Sequence, residues 1–159
     1  MENKFNLSPH LLEELVRTAR QATCSRSQCG SIILAKDSEV IIGKGYNSRP
    51  CDMIADCTKD LLPKDHKSDR TCCMHAEVRA IMDGLKNHPD KINGSQLIFV
   101  RLDEFGRPKP AEDIYCTICS KMALDAGVAL FCLLTPSGWT AYRTDKYNDL
   151  SFAQMKISG

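Results

Sequence analysis

The sequence predicts a layered α/β domain, on three observations. Apolar residues recur at helical spacing in separate segments, short β-branched or apolar runs of strand length lie between them, and no repeat or low-complexity tract breaks the alternation. With 159 residues the chain suffices for one core of ordinary size, so one domain over residues 1–159 is expected. Helices that alternate with buried strands favour a largely parallel second half of the sheet.

The first helix follows from Ser8 and Pro9, which can start one, and from the apolar stripe Leu11, Leu12, Leu15, Val16 and Ala19; it is expected over about 9 to 22. "SIILA" and "EVIIGKGYN" are β-branched runs separated by "KDSE", and read as a hairpin or a close strand pair. Residues 48 to 74 carry Cys51, Cys57, Cys72, Cys73, His66, Pro50 and Pro63 with little periodic pattern, so an irregular loop pinned by metal is expected. Val78, Ile81, Met82 and Leu85 then recur at helical spacing from His75 to about Asn87, where His88 and Pro89 close the segment. "QLIFVRL" at 96 to 102 is a buried strand, and "DEFGRPKPAED" at 103 to 113 a polar loop whose Arg107 and Lys109 are solvated charges or phosphate contacts. "YCTICSKMALDAG" is a helix that stops at Gly127 before the strand "VALFCLL". The remainder gives a turn and a short helix, whose Trp139, Tyr142 and Tyr147 are open to stacking on a base, covering the pocket or, by default, packing against another subunit.

Lys and Arg number 21 against 20 Asp and Glu, a net charge of +1, which gives no general pull toward nucleic acid or anionic membrane. The acids in "MENKFNLSPHLLEEL" do not suit a signal peptide, and "VALFCLL" is far short of the ~20 residues that span a bilayer. A cytoplasmic location is expected. The nine cysteines are many and odd in number; in a reducing compartment such thiols bind metal, catalyse or lie buried more often than they form disulfides.

His75 and Glu77 stand at a helix start, and Cys116 and Cys119 stand three apart at another, where both sulfurs share one face and the helix N-terminus favours their thiolates. One His and two Cys suit a catalytic zinc site, which has three protein ligands and one open position. A carboxylate beside such a metal takes a proton from activated water and returns it to a ring nitrogen and a leaving amine, which is hydrolytic deamination. His-x-Glu followed by Cys-x-x-Cys is the pattern of zinc nucleobase deaminases. Taken singly, His75 and Glu77 read as a cap and a solvated charge. The cysteine pair alone reads equally as a redox couple or as half of a structural zinc module.

Together "HAE" at 75–77, "CTIC" at 116–119 and "GYN" at 45–47 resemble the cytidine and deoxycytidylate deaminase superfamily from about Leu11 to Leu134. The resemblance implies a three-layer α/β/α fold with a central five-stranded mixed sheet and zinc held between the starts of two helices. It implies that His75, Cys116 and Cys119 bind Zn2+, that Glu77 shuttles protons, and that Asn47 and Ala76 meet the substrate, Asn47 at the sugar. It also implies a homo-oligomer. The chain departs from the family pattern at Tyr115, where a proline is usual, and in the long segment 103–113, which lies where a loop could overhang the active site.

The branch most resembled is the deoxycytidylate one, so dCMP to dUMP with release of ammonia is the expected reaction. Ser48 and Arg49 stand where that branch often has glycine; Arg49, Arg70 and Arg79 are candidates for its 5′-phosphate, as alternatives to plain surface charges. Some deoxycytidylate deaminases hold a second, structural zinc, and here Cys24, Cys57 and His66 occupy similar places, with Cys51, Cys72 or Cys73 as a fourth ligand. Cys29 and Cys132 read as core thiols. A tRNA adenosine deaminase, a guanine or nucleoside deaminase and a non-catalytic zinc module are the rival readings, the RNA enzyme being disfavoured by the neutral charge.

Overall fold

A computed structural model describes residues 2–24, 26–53, 56–66, 70–113 and 116–158, the side chains of 155–158 excepted. Tyr115, one of the two departures named above, lies outside the described residues. The helices are α1 (Pro9–Ala19), α2 (Ala76–Asn87), α3 (Thr117–Ala126) and α4 (Thr144–Ser158). The strands are β1 (Glu2–Lys4), β2 (Cys29–Leu34), β3 (Ile41–Tyr46), β4 (Gln96–Leu102), β5 (Pro108–Lys109), β6 (Leu130–Thr135) and β7 (Gly138–Arg143).

The sheet runs β1-β7-β6-β4-β2-β3, with β5 also on β4, so it has seven strands where five were expected. The two extra strands are the short β1 and β5. Only β4 and β6 pair parallel; every other pairing is antiparallel, which corrects the expectation of a largely parallel second half. The reason is β7. Gly138, at φ 111°, closes a tight turn and sends residues 138–143 back along β6, with Thr135 opposite Gly138.

Alternation along the strands divides the core between two faces. Ile32, Ile98 and Val100 pack with Leu11, Leu15 and Ala19 of α1, and the neighbouring Ile33, Leu97 and Phe131 pack with Ala80, Ile81, Ala123 and Tyr147 of α2, α3 and α4. The result is three layers, α/β/α. Cys29 and Cys132 are buried as expected. Tyr142 and Tyr147 are 2% and 4% exposed, so they fill this chain's own core and are not subunit contacts; Tyr147 stacks on Phe131 with ring centroids 4.0 Å apart.

Glycines set the distance between β3 and α2. A Cβ at Gly45 would lie 2.3 Å from the Ala76 carbonyl oxygen, and one at Gly43 would lie 2.5 Å from that of Ala80. Backbone therefore rests on backbone, and the first turn of α2 is held directly over the sheet. At the far end of α3, Gly127 adopts φ 93° as the C-cap, which a β-carbon would strain. Both helices thus present their N-termini at fixed places on one edge of the same layer.

Candidate active site

His75 is the N-cap of α2, with extended backbone, and its side chain makes no cap hydrogen bond. The ring turns toward α3, where its Nδ1 lies 3.2 Å from Cys116 Sγ and 3.2 Å from Cys119 Sγ. Cys116 is the N-cap of α3 and accepts from the Cys119 N–H at 3.3 Å; the two sulfurs are 2.8 Å apart. The three ligand atoms all lie within 4.8 Å of one another. Two helix N-termini converge here, and their dipoles favour negative charge. The Cys119 thiol and then the His75 ring, both hydrogen-bonded to it, draw the Cys116 thiol down to about 5. One imidazole and two sulfurs, one of them readily ionised, fit a catalytic zinc, which keeps one position free of protein ligands.

Glu77 follows in the first turn of α2 and is 6% exposed. Burial pushes its carboxyl up to about 7, and the neighbouring Cys116 thiolate adds to that; a divalent cation on the triad would act in the opposite sense. A carboxyl in this range can both take and return a proton near neutrality.

His75, Glu77 and Cys116 line a cavity of about 470 Å³, within the size range of small-molecule sites. Asn47 and Ala76 line it as expected. Asn47 is buried: its Oδ1 accepts from the Cys29 N–H at 2.7 Å and its Nδ2 donates to the Ser27 carbonyl at 2.8 Å. Each group keeps one further hydrogen-bonding position.

Arg79 and Arg49 do not join this wall. Arg79 Nη1 donates to Ser48 Oγ at 2.6 Å and pairs with Asp52 at 2.9 Å, and its guanidinium stacks over the Tyr46 ring at 4.5 Å. It clamps the start of the 48–74 segment. Arg49 donates to the Asp56 carbonyl. Arg70 is likewise outside the lining, and Arg107 is tied to Asp103 at 3.3 Å. The segment 103–113 does reach the cavity, through Lys109 and the residues up to Asp113.

Cys24, Cys57, His66, Cys72 and Cys73 gather on one wall of the same cavity, whereas Cys51 is exposed elsewhere. They meet in pairs: Cys72 with Cys73 at 3.9 Å, Cys57 with Cys72, and Cys24 with Cys73. His66 bonds through Nδ1 to the Pro63 carbonyl at 2.8 Å. Among the described residues, the His75 triad is the only group of three whose ligand atoms come within 4.8 Å of one another.

Arg101 is among the lining residues that the sequence reading did not single out, whereas Tyr147, read as open to covering the pocket, does line it. Arg101 was legible in part, because alternation along β4 places it on the same face as Leu97 and Phe99. The position of Tyr147 depends on where α4 packs, so the sequence left its role open between the pocket and a subunit contact.

Residues 7–135 match the family described as the cytidine and deoxycytidylate deaminase zinc-binding region. The chain belongs to that family. Its His75–Cys116–Cys119 triad is the His-Cys-Cys zinc site of this deaminase type, consistent with one catalytic Zn2+. No curated protein sequence matches the chain. Among solved structures, the dCMP deaminase of cyanophage S-TIM5 in apo form is similar at TM-score 0.55 and 23% identity, covering 91% of this chain and 95% of that one. The same phage enzyme in complex with dCMP and dUMP gives TM-score 0.52 and 24% identity, covering 80% and 83%. Cytidine deaminase of Burkholderia pseudomallei gives 0.53 and 15%, covering 89% and 96%. At these identities the likeness is one of fold. Among the described residues no helix is long and apolar enough to cross a membrane.

Proposed function

We propose that this deaminase acts on a cytosine nucleotide, converting dCMP to dUMP with release of ammonia. The observation that carries the reading is Glu77, a buried carboxyl beside three convergent zinc donors on a cavity of about 470 Å³. Bound to His75, Cys116 and Cys119, zinc supplies the Lewis acidity that makes water nucleophilic near neutral pH. Glu77 takes the proton that the attacking water loses, passes it to the pyrimidine ring nitrogen, and then serves the departing amine, so that C4 exchanges its amino group for oxygen. Ala76, whose N–H is one of the free donors of the first turn of a helix, lines the same cavity. Asn47 offers its remaining donor and acceptor positions to the sugar.

The reading takes residues 1–159 as one such domain, cytoplasmic and working as a homo-oligomer. The exposed apolar side chains of Met82, Leu85 and Leu124 on α2 and α3 support the assembly. A second, structural zinc held by Cys24, Cys57 and His66, with Cys72 or Cys73 as the fourth ligand, belongs to the same proposal.

The test is ammonia release by zinc-loaded protein from dCMP, CMP, deoxycytidine, cytidine, guanine and an adenosine-bearing tRNA stem. Release from dCMP above the others is expected. Release only from tRNA, with binding that weakens in salt, would replace this reading with the RNA one.

A further inference from the structure

The cavity extends outward from Glu77 along a row of side chains that crosses three strands. Cys29 on β2 stands opposite Arg101 on β4, and Arg101 stands opposite Lys109 on β5. Residues opposite one another in a sheet share a face. On β4 that face is the one of Leu97 and Phe99, which belong to the α2 and α3 side of the core, so a cation ends an otherwise apolar stripe on the side of the active site. All three residues of the row line the cavity.

The Cys29 thiol links the two ends. It lies within electrostatic reach of both the Glu77 carboxylate and the Arg101 guanidinium. Its backbone N–H holds Asn47 at 2.7 Å. Outward from Glu77 the wall therefore runs through Asn47 and Cys29 to two cations. Neither Arg101 nor Lys109 takes part in an ion pair among the described residues, whereas Arg26, which also lines the cavity, is paired with Asp60. Glu112 and Asp113 line the cavity too, nearer in sequence to Cys116.

We infer that Arg101 and Lys109 form an anion subsite that takes the 5′-phosphate of the substrate, and so select a nucleoside monophosphate over the nucleoside. The inference rests on the cytosine-nucleotide reading above and assigns the phosphate to residues other than Arg49, Arg70 and Arg79. A planar guanidinium donates to two phosphate oxygens at once, and the lysine adds a point charge beside it. The segment 103–113 has a role under this reading, because its short strand is what brings Lys109 opposite Arg101.

The experiment is calorimetric titration of the zinc-loaded full chain with dUMP, deoxyuridine and inorganic phosphate. It is repeated on the Arg101→Gln, Lys109→Gln double variant and on Arg101→Lys. The parent is expected to bind dUMP about ten- to a hundredfold tighter than deoxyuridine, the range that charge-assisted hydrogen bonds supply. That ratio should fall close to one in the double variant and be partly kept by Arg101→Lys. An equal ratio in parent and double variant, or no preference in the parent, overturns the inference. If neither pyrimidine binds the parent, the cytosine reading is what fails. Phosphate then decides the subsite: binding lost in the double variant upholds it, and binding by both proteins or by neither overturns it. The two single variants, each removing one exposed charge, replace the double one if it does not melt like the parent.

Discussion

Two groups of sulfur ligands face the same cavity, and they are built differently. His75, Cys116 and Cys119 come from the N-caps and first turns of α2 and α3, and their ligand atoms converge within 4.8 Å. Cys57, Cys72 and Cys73 come from the irregular segment 48–74 and Cys24 from the turn after α1, and they meet only in pairs. Regular elements seated on a core place their side chains without help from a ligand. A segment with little apolar content of its own needs a ligand to supply its ordering free energy. The first site is preformed, and the second wall gathers its donors without closing them.

Replacing Cys119 by Ser should produce the largest effect. Turnover should fall by more than the roughly 100-fold typical of changes behind the ligand shell, and catalytic zinc should be lost on dialysis. The fold should persist, because α3 is held by Ala123 and its glycine cap rather than by the metal. Global unfolding on zinc loss would break the comparison.

Gly45→Ala tests the scaffold of the first site. The added methyl meets the Ala76 carbonyl and must push α2 from β3. Overpacking of this kind costs about 1–3 kcal/mol, and each kcal/mol is worth ~2–4 °C of melting temperature at this chain length. Activity should fall with stability, since Ala76 and Glu77 ride on the displaced turn.

Cys57→Ser addresses the second wall. Zinc content should drop by one equivalent and the melting temperature by about 2–4 °C, with part of the activity kept, because the triad is anchored elsewhere. An unchanged zinc content would remove the structural metal from this account.

The smallest effect belongs to the clamp that opens the 48–74 segment. Hydrogen bonds from Arg79, then Ser48 and Tyr46, hold the Asp52 carboxyl well below the usual carboxylate range. A lowered folded-state value contributes stability above the ordinary value, and that contribution is lost as pH falls below about 4. Arg79→Gln should therefore flatten the acid limb of the melting profile slightly, since the pair is partly exposed. An identical profile would show the clamp to be energetically silent.

Much of this was legible in the sequence where periodicity was strong. β4 runs over the 96–102 segment read from "QLIFVRL", α2 begins one residue after His75, and Gly127 ends α3. The cysteine pair was legible because both sulfurs sit at a helix start, where their spacing fixes a common face, and His75 joined them through the pattern of His-x-Glu followed by Cys-x-x-Cys. α1 ends at Ala19 rather than near 22, and residues 20–22 continue only as turns bonded to Val16, Thr18 and Ala19. β7 was missed because its alternation is broken by small residues and its turn depends on Gly138. The fates of Arg79, Arg101 and Tyr147 were set by partners distant in sequence: Asp52 and Tyr46, the β5 crossing, and the packing of α4 on α3. No local pattern encodes those contacts.

The most direct measurement compares ammonia release from dCMP by the protein and by Glu77→Gln at equal zinc content. General acid–base catalysis by one residue contributes about 10²–10⁴-fold, so the variant should bind zinc as the parent does and release ammonia at least about a hundredfold more slowly. Equal rates in the two proteins, or no release by the zinc-loaded parent from any cytosine nucleotide, would contradict the account.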